Sequence, residues 1–269
     1  MPTPDFYIVP ADALDATADA IREKTGSQAS IEFTQDGFAD AIGDIPSGSG
    51  YTANDIATKN ISGVITIDTS STIDKYSFYN CTSITGLFIP NSTVIDDSAF
   101  YGCSGLSGNG LFPMVTKATG NSFHATGYTS IELPKLTWIS WGPICRNCPN
   151  LELIRLGSSD VNLSGTNTFG DSWFRDLPNL ETIIFGWENG LVKLGGVAAF
   201  NNSPFASGGT GGTIYIPKAL YDHLGDGTSL DYKAATNWST IDAYGTITWA
   251  QIEGSYYETH YADGTLIPT

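Results

Sequence analysis

The chain has 269 residues, 41% of them hydrophobic and 15% charged, so it can bury a sizeable core and has the composition of a folded protein. Its formal net charge of -16 repels phosphate backbones and anionic lipid headgroups, which argues against nucleic acids or membranes as main partners. No apolar run is long enough to span a bilayer, and 30 glycines favour a turn-rich, mainly β architecture.

The first 46 residues are predicted to form a small helical module. Residues 11–24 have the spacing of a helix with one apolar face, Thr25 and Gly26 end it, and residues 38–42 predict a second short helix. Residues 47–52 are rich in Gly and Ser and indicate a flexible linker. Residues 1–6 lack a basic stretch followed by an apolar run, so we expect no secretory signal peptide.

The middle of the chain contains internal repeats. Four apolar positions recur after 22 residues: Ile73, Phe78, Cys81 and Ile84 return as Ile95, Phe100, Cys103 and Leu106. Each repeat then continues with an alternating segment of the form L-x-x-L-x-L, which predicts a short strand with one buried face. One unit cannot bury its own apolar face, so we expect the units to stack into a solenoid over residues 53–217.

These motifs resemble the BspA-like, or type 5, leucine-rich repeat, whose pattern is roughly A-F-x-x-C-x-x-L-x-x-L-x-I-P. The resemblance covers about residues 60–217 and loosens in later copies, where Cys145 replaces Phe and Leu177 replaces Cys. It implies an irregular leucine-rich-repeat solenoid of the kind found in phages and prophages of Gram-positive bacteria. Residues 18–26 and 37–42 also resemble segments of phage tail-associated structural proteins.

The C-terminal part is predicted to close the open end of the solenoid. Residues 218–244 indicate a helical cap, with short helices at residues 219–224 and 230–238. Residues 245–269 predict a β-hairpin that turns at residues 262–265.

Cys145 and Cys148 have the C-x-x-C spacing of a zinc or redox motif, but no second pair completes it. Cys148 also falls on the repeat position of Cys81 and Cys103, which favours buried thiols, although a disulfide between Cys81 and Cys103 remains geometrically allowed. No nucleophile elbow, phosphate loop or histidine pair occurs. We therefore predict no enzyme, no catalytic residue, no metal site and no cofactor.

Strand residues that alternate with the buried ones give the candidate partner-binding set, which consists of Phe88, Glu132, Arg155, Ile184 and Tyr215. Either this row is exposed and binds a protein or glycan, or a loop or neighbouring subunit covers it. We expect substitution of Glu132 or Arg155 to leave stability nearly unchanged, whereas Ile131→Ala or Leu156→Ala should cost about 2–5 kcal/mol if these positions are buried in the shared core.

Our main hypothesis is a phage virion protein with a structural or recognition role in the tail, the baseplate or head decoration. Its N-terminal module contacts other virion proteins, its solenoid faces a protein or glycan of the host surface, and a homo-oligomer is compatible with this role. The alternative is a leucine-rich-repeat adhesin on the bacterial cell surface.

Overall fold

The computed structural model describes residues 61–67, 72–139, 142–164, 168–252, 260–262, 264 and 266. The chain divides into two units, Met1–Ser47 and Gly48–Thr269, and every described residue belongs to the second. The predicted helical module at residues 1–46 and the linker at residues 47–52 lie outside the described residues. Among those described, no helix has the length and apolarity that crossing a bilayer requires.

The described part of the chain is mainly β, as predicted, and its helices are short. A 3-10 helix spans Val197–Phe200, and two α-helices, α1 and α2, span Lys218–Tyr221 and Trp238–Asp242. The strands are β1 (Gly63–Thr66), β2 (Thr72–Ile73), β3 (Ile84–Phe88), β4 (Val94–Ile95), β5 (Ser107–Leu111), β6 (Lys117–Ala118), β7 (Gly127–Leu133), β8 (Leu153–Leu156), β9 (Thr168–Phe169), β10 (Thr182–Phe185), β11 (Lys193–Leu194), β12 (Gly212–Ile216) and β13 (Ile247–Gln251).

Equivalent strands of successive repeats pair in parallel. The main sheet has six strands in the order β13-β12-β10-β8-β7-β5. Strands β1 and β3 pair in a separate two-stranded sheet. The short strands that follow in each repeat form a second ladder, β2-β4-β6, which the single bridges from Lys117 to Trp138 and from Trp138 to Ser164 extend. Parallel pairing of this kind is expected when similar units lie side by side, because each unit brings its strand in the same direction.

The repeat phenylalanines stack through the core. The rings of Phe78 and Phe100 lie 5.2 Å apart, those of Phe100 and Phe123 lie 5.9 Å apart, and Phe174 stacks on Phe200 at 4.9 Å. All five are buried. Repeat spacings of 22, 23 and 26 residues therefore all bring the same ring position of neighbouring repeats into contact.

The repeat cysteines join one repeat to the previous one. The Cys103 thiol donates to the carbonyl oxygen of Phe78 at 3.0 Å, and the Cys148 thiol donates to that of Phe123 at 3.2 Å. All four cysteines of the chain are buried free thiols, so the alternative of a disulfide between Cys81 and Cys103 is not realised. The interpretation of Cys148 as a buried repeat thiol is confirmed.

Each repeat turns at a residue with left-handed backbone conformation. Asn80, Gly102, Ala125 and Asn147 occupy the same repeat position, two residues beyond the phenylalanine or its replacement, and have φ of 59°, 72°, 55° and 57°. Glycine and asparagine tolerate this region well, whereas alanine does so at an energetic cost. The turn geometry is therefore fixed by the repeat and imposed even where the residue type is unfavourable.

The C-terminal part differs from the prediction at the second helix of the cap. Residues 231–237 form turns, and α2 begins only at Trp238, because the Asp231 carboxylate accepts from the main-chain N–H of Lys233 and Asn237 has a left-handed φ of 66°. Strand β13 pairs in parallel with β12, and its Trp249 packs 5.2 Å from Tyr232, while residues 253–259 of the predicted hairpin lie outside the described residues. An antiparallel bridge does join His260 to Leu266 across the predicted turn.

Candidate functional site

Four of the five predicted partner-binding residues lie side by side in one row of the main sheet. Glu132 pairs with Arg155, Arg155 with Ile184, and Ile184 with Tyr215. This part of the register predicted from the repeats is confirmed. Phe88 lies on β3, which pairs with β1 and not with the six-stranded sheet.

The row is buried where the sequence led us to consider an exposed surface. Glu132, Arg155 and Ile184 are 0%, 5% and 1% exposed, and Tyr215 is half-buried. Arg155 Nε lies 2.9 Å from Glu132 Oε2, so the two charges form an ion pair within the protein. The expectation that either charge can be removed at little cost assumed an exposed position, and the burial contradicts that assumption. Because breaking a buried pair leaves its partner charge uncompensated, we expect a large cost instead.

Residues 260–262, which we call the clasp, cover this ion pair. Arg155 Nη2 donates to the His260 carbonyl oxygen at 2.6 Å, and the main-chain N–H of Ala262 donates to Glu132 Oε1 at 2.9 Å. Between these two contacts, the ring of Tyr261 lies 5.5 Å from the Arg155 guanidinium carbon. Of the two interpretations left open by the sequence, coverage is the one that describes Glu132 and Arg155, and the cover comes from the same chain.

A polar pocket of about 270 Å³ lies next to the clasp. Ala262 forms part of its wall, and the polar lining comes from Asn109, Ser130, Glu152 and Glu181 of successive repeats, among others. Asn109 Oδ1 accepts from the hydroxyl of Ser130 at 3.2 Å, which fixes one side of the pocket. The clasp therefore touches both the ion pair and a polar groove between strands.

Phe88 is the one predicted site residue that stands clearly in solvent. It is 57% exposed, and Val64 on the neighbouring strand β1 is 69% exposed. The two lie on the same face, alternating with the buried Ile65, because Val64 pairs with Gly86 and Thr66 pairs with Phe88. We call Val64, Gly86 and Phe88 the open patch.

A row of stacked aromatic rings runs along the turns, and the sequence analysis missed it. Tyr79 stacks on Tyr101 at 4.8 Å, Tyr101 stacks on His124 at 4.4 Å, and Tyr76 meets Tyr79 edge to face at 5.7 Å. Tyr79, Tyr101 and His124 each follow the repeat phenylalanine, so a flat ring at the same position of three successive repeats was the signal available. We call these three residues the ring ladder.

Burial sets the acid–base behaviour of the ladder and the thiols. Partial burial, and then the nearby charge of Arg146, lower the pKa of His124 from its ordinary value. Burial raises the pKa of Cys145 and of Cys148, so both remain neutral thiols rather than reactive thiolates. Among the described residues, no three side chains of His, Cys, Asp or Glu lie together as metal ligands would.

Comparison with known proteins places the repeats in one family. Residues 71–206 match, in six copies, a family model described as "BspA type Leucine rich repeat region". The match spans half of the chain and includes β2 to β11 with the 3-10 helix. No curated protein gives a significant match to the chain.

Proposed function

Because the chain belongs to the family with BspA type leucine-rich repeats, we propose that it is a non-enzymatic recognition protein whose repeats form an irregular solenoid. The parallel pairing of equivalent strands and the stacked phenylalanines support the solenoid. Residues 218–244 then act as its cap, since Leu220 and Trp238 of the two α-helices are buried in the same core. Leucine-rich repeats are scaffolds for contacts between proteins, which makes a protein partner the simplest expectation.

The observation that carries the proposal is the open patch. Phe88 and Val64 are exposed on paired strands, so a partner can bind them without first ordering their main chain. Aromatic side chains such as Phe88 are enriched in the centres of protein interfaces. Because the chain as a whole is acidic, we expect the partner surface to be apolar at its centre and basic at its rim.

We further propose that the chain is a component of a phage particle, in the tail, the baseplate or the head decoration. The support is the resemblance of residues 18–26 and 37–42 to phage tail-associated structural proteins. In this arrangement the N-terminal module contacts other virion proteins, and the repeats face the host surface.

The virion role is tested by mass spectrometry of purified particles from a strain that encodes the chain. We expect peptides of the chain at a copy number similar to that of tail or decoration proteins. Their absence from particles of full infectivity would contradict the virion role, while leaving the recognition role of the repeats intact.

A bacterial surface adhesin is the second candidate, and the repeat type itself favours it because BspA type repeats suit adhesion as well as protein contacts. Antibody labelling of intact cells separates the two. Labelling of cells from which every inducible prophage has been removed would favour the adhesin, and labelling confined to particles would favour the virion protein.

The role of the open patch is tested by binding of the labelled full chain to whichever surface it is found on. We expect Phe88→Ala to weaken binding at least tenfold. Met114→Ala is the matched control, because Met114 is also an exposed apolar side chain, at 48%, but lies outside the open patch. Equal binding by both variants and the unchanged protein would rule out the open patch as the contact surface.

A further inference from the structure

The ion pair of Glu132 and Arg155 contacts the main chain of the clasp at two points. Arg155 donates to a carbonyl oxygen, and Glu132 accepts from an N–H two residues further on. Any peptide without proline at the donor position offers this pair of groups. Tyr261 adds side-chain selectivity, because its ring lies over the guanidinium and is itself buried.

Charged side chains are not needed to fill this row of the sheet. Ile184 occupies the next position in the same row and is buried as an apolar side chain. A buried ion pair stabilises a protein little compared with apolar side chains of similar volume. What the charged pair adds at this position is two charge-assisted hydrogen bonds to a peptide, which an apolar pair cannot make.

The clasp is joined to β13 by a short connection, so it can reach the site of its own copy or of a second copy of the protein. Strand β13 ends at Gln251, nine residues before His260, and an extended chain of that length spans up to about 30 Å. A segment attached in this way can be exchanged between identical molecules, since the same contacts form whichever copy supplies it.

We propose that Glu132 and Arg155 form a peptide-binding site that recognises the main chain around a tyrosine, that the chain's own clasp occupies it, and that the clasp of a second copy is the ligand that can replace it. This site is separate from the open patch and stands whether or not the proposed function is correct. In the unchanged protein the attached clasp competes at an effective concentration in the millimolar range for a short linker. Free peptide therefore binds only when the attached clasp is weakened.

The test measures, by fluorescence anisotropy, how tightly the full chain binds a labelled peptide with the sequence of residues 257–266. Tyr261→Ala in the protein removes the ring that lies over Arg155, so we expect this variant to bind the peptide at least tenfold more tightly than the unchanged protein does. A peptide carrying the same Tyr261→Ala change should bind the variant at least tenfold more weakly. Binding should slow hydrogen exchange in β7 and β8, which carry Glu132 and Arg155.

Two further variants keep the result interpretable. Ala262→Pro removes the main-chain N–H that donates to Glu132 while keeping the Tyr261 side chain, and it should open the site as Tyr261→Ala does. Leu266→Ala is the matched control, because Leu266 follows the clasp but is 70% exposed, and it should bind no more peptide than the unchanged protein. The proposal fails if neither opened variant binds the peptide better than the unchanged protein, or if the exchange protection appears outside β7 and β8.

Discussion

The guanidinium of Arg155 and the carboxylate of Glu132 face each other on neighbouring strands, with side chains only 6% and 1% exposed. Removing one partner leaves the other charge buried and uncompensated. We therefore expect Glu132→Ala or Arg155→Ala to lower the free energy of unfolding by about 3–5 kcal/mol, measured by urea denaturation.

Glu152→Ala is the control for this prediction, since Glu152 lies just before β8 but is exposed. Its effect should stay within about 0.5 kcal/mol. The double change Glu132→Leu with Arg155→Met should recover much of the loss, because it removes both charges together. A single variant as stable as Glu152→Ala would show that water reaches the pair freely.

The alternate positions of the same strands belong to the core. Ile131 and Leu156 are both fully buried, so Ile131→Ala or Leu156→Ala should each lower the free energy of unfolding by about 2–5 kcal/mol through lost burial and the cavity left behind. Val64→Ala, at an exposed strand position, should change it by less than about 0.5 kcal/mol. Similar losses at all three positions in urea titrations would contradict the register of the sheet.

The repeat turns give two opposite predictions at one repeat position. Ala125 has a φ of 55°, a conformation that costs an L-residue about 1–2 kcal/mol. Ala125→Gly removes this strain at an entropic cost of roughly 0.5–1 kcal/mol, so we expect a net gain of about 0.5–1 kcal/mol. Gly102→Ala should instead lose about 1–3 kcal/mol, because its φ is 72° and its new Cβ would collide with Asn80 Oδ1.

Thermal and urea unfolding of both variants check the pair. If the two changes shift stability in the same direction, the left-handed conformation is not a fixed property of this repeat position.

The ring ladder predicts a pH dependence. The pKa of His124 is lowered in the folded protein, so the unfolded chain binds the proton more readily. The stability that His124 contributes is therefore present above the ordinary histidine pKa of 6.5 and is lost as the pH falls toward the lower folded-state pKa. His124→Tyr keeps the stack on Tyr101 without titrating there, and Tyr is the residue that other repeats carry at this position.

The measurement is urea unfolding at pH 7.5 and at pH 5.5 for both proteins. We expect the unchanged protein to lose more stability between these two pH values than His124→Tyr does. An NMR titration should place the midpoint of His124 below 6.5. An identical pH response of the two proteins would mean that His124 is solvated in the folded state.

The repeats were predictable because their signal is local. Phe78 and Phe100, or Cys81 and Cys103, show the period within 26 residues of sequence, and the register of Glu132 against Arg155 follows from aligning the L-x-x-L-x-L segments of their two repeats. The alternation of buried and outward side chains within a strand needs no more than the pleat.

The burial of the candidate site was not predictable in the same way. The contact that covers Glu132 comes from Ala262, 130 residues later, through a main-chain N–H that no side-chain pattern reveals. The one available sign was the pair itself, since opposite charges at the same repeat position of adjacent repeats are neighbours in the sheet. Likewise, the parallel pairing of β13 depends on how the rings of Trp238 and Tyr232 pack, which is a property of the folded core.

The clasp binds β7 and β8, whereas β1 to β4 lie well before it in the chain. Duplication or loss of a 22-residue unit in that early region would lengthen or shorten the uncovered stretch of strands and leave the clasp, the ion pair and β13 in place. Related chains can therefore differ in the number of repeats before β7 without any change in the contacts between the clasp and the ion pair.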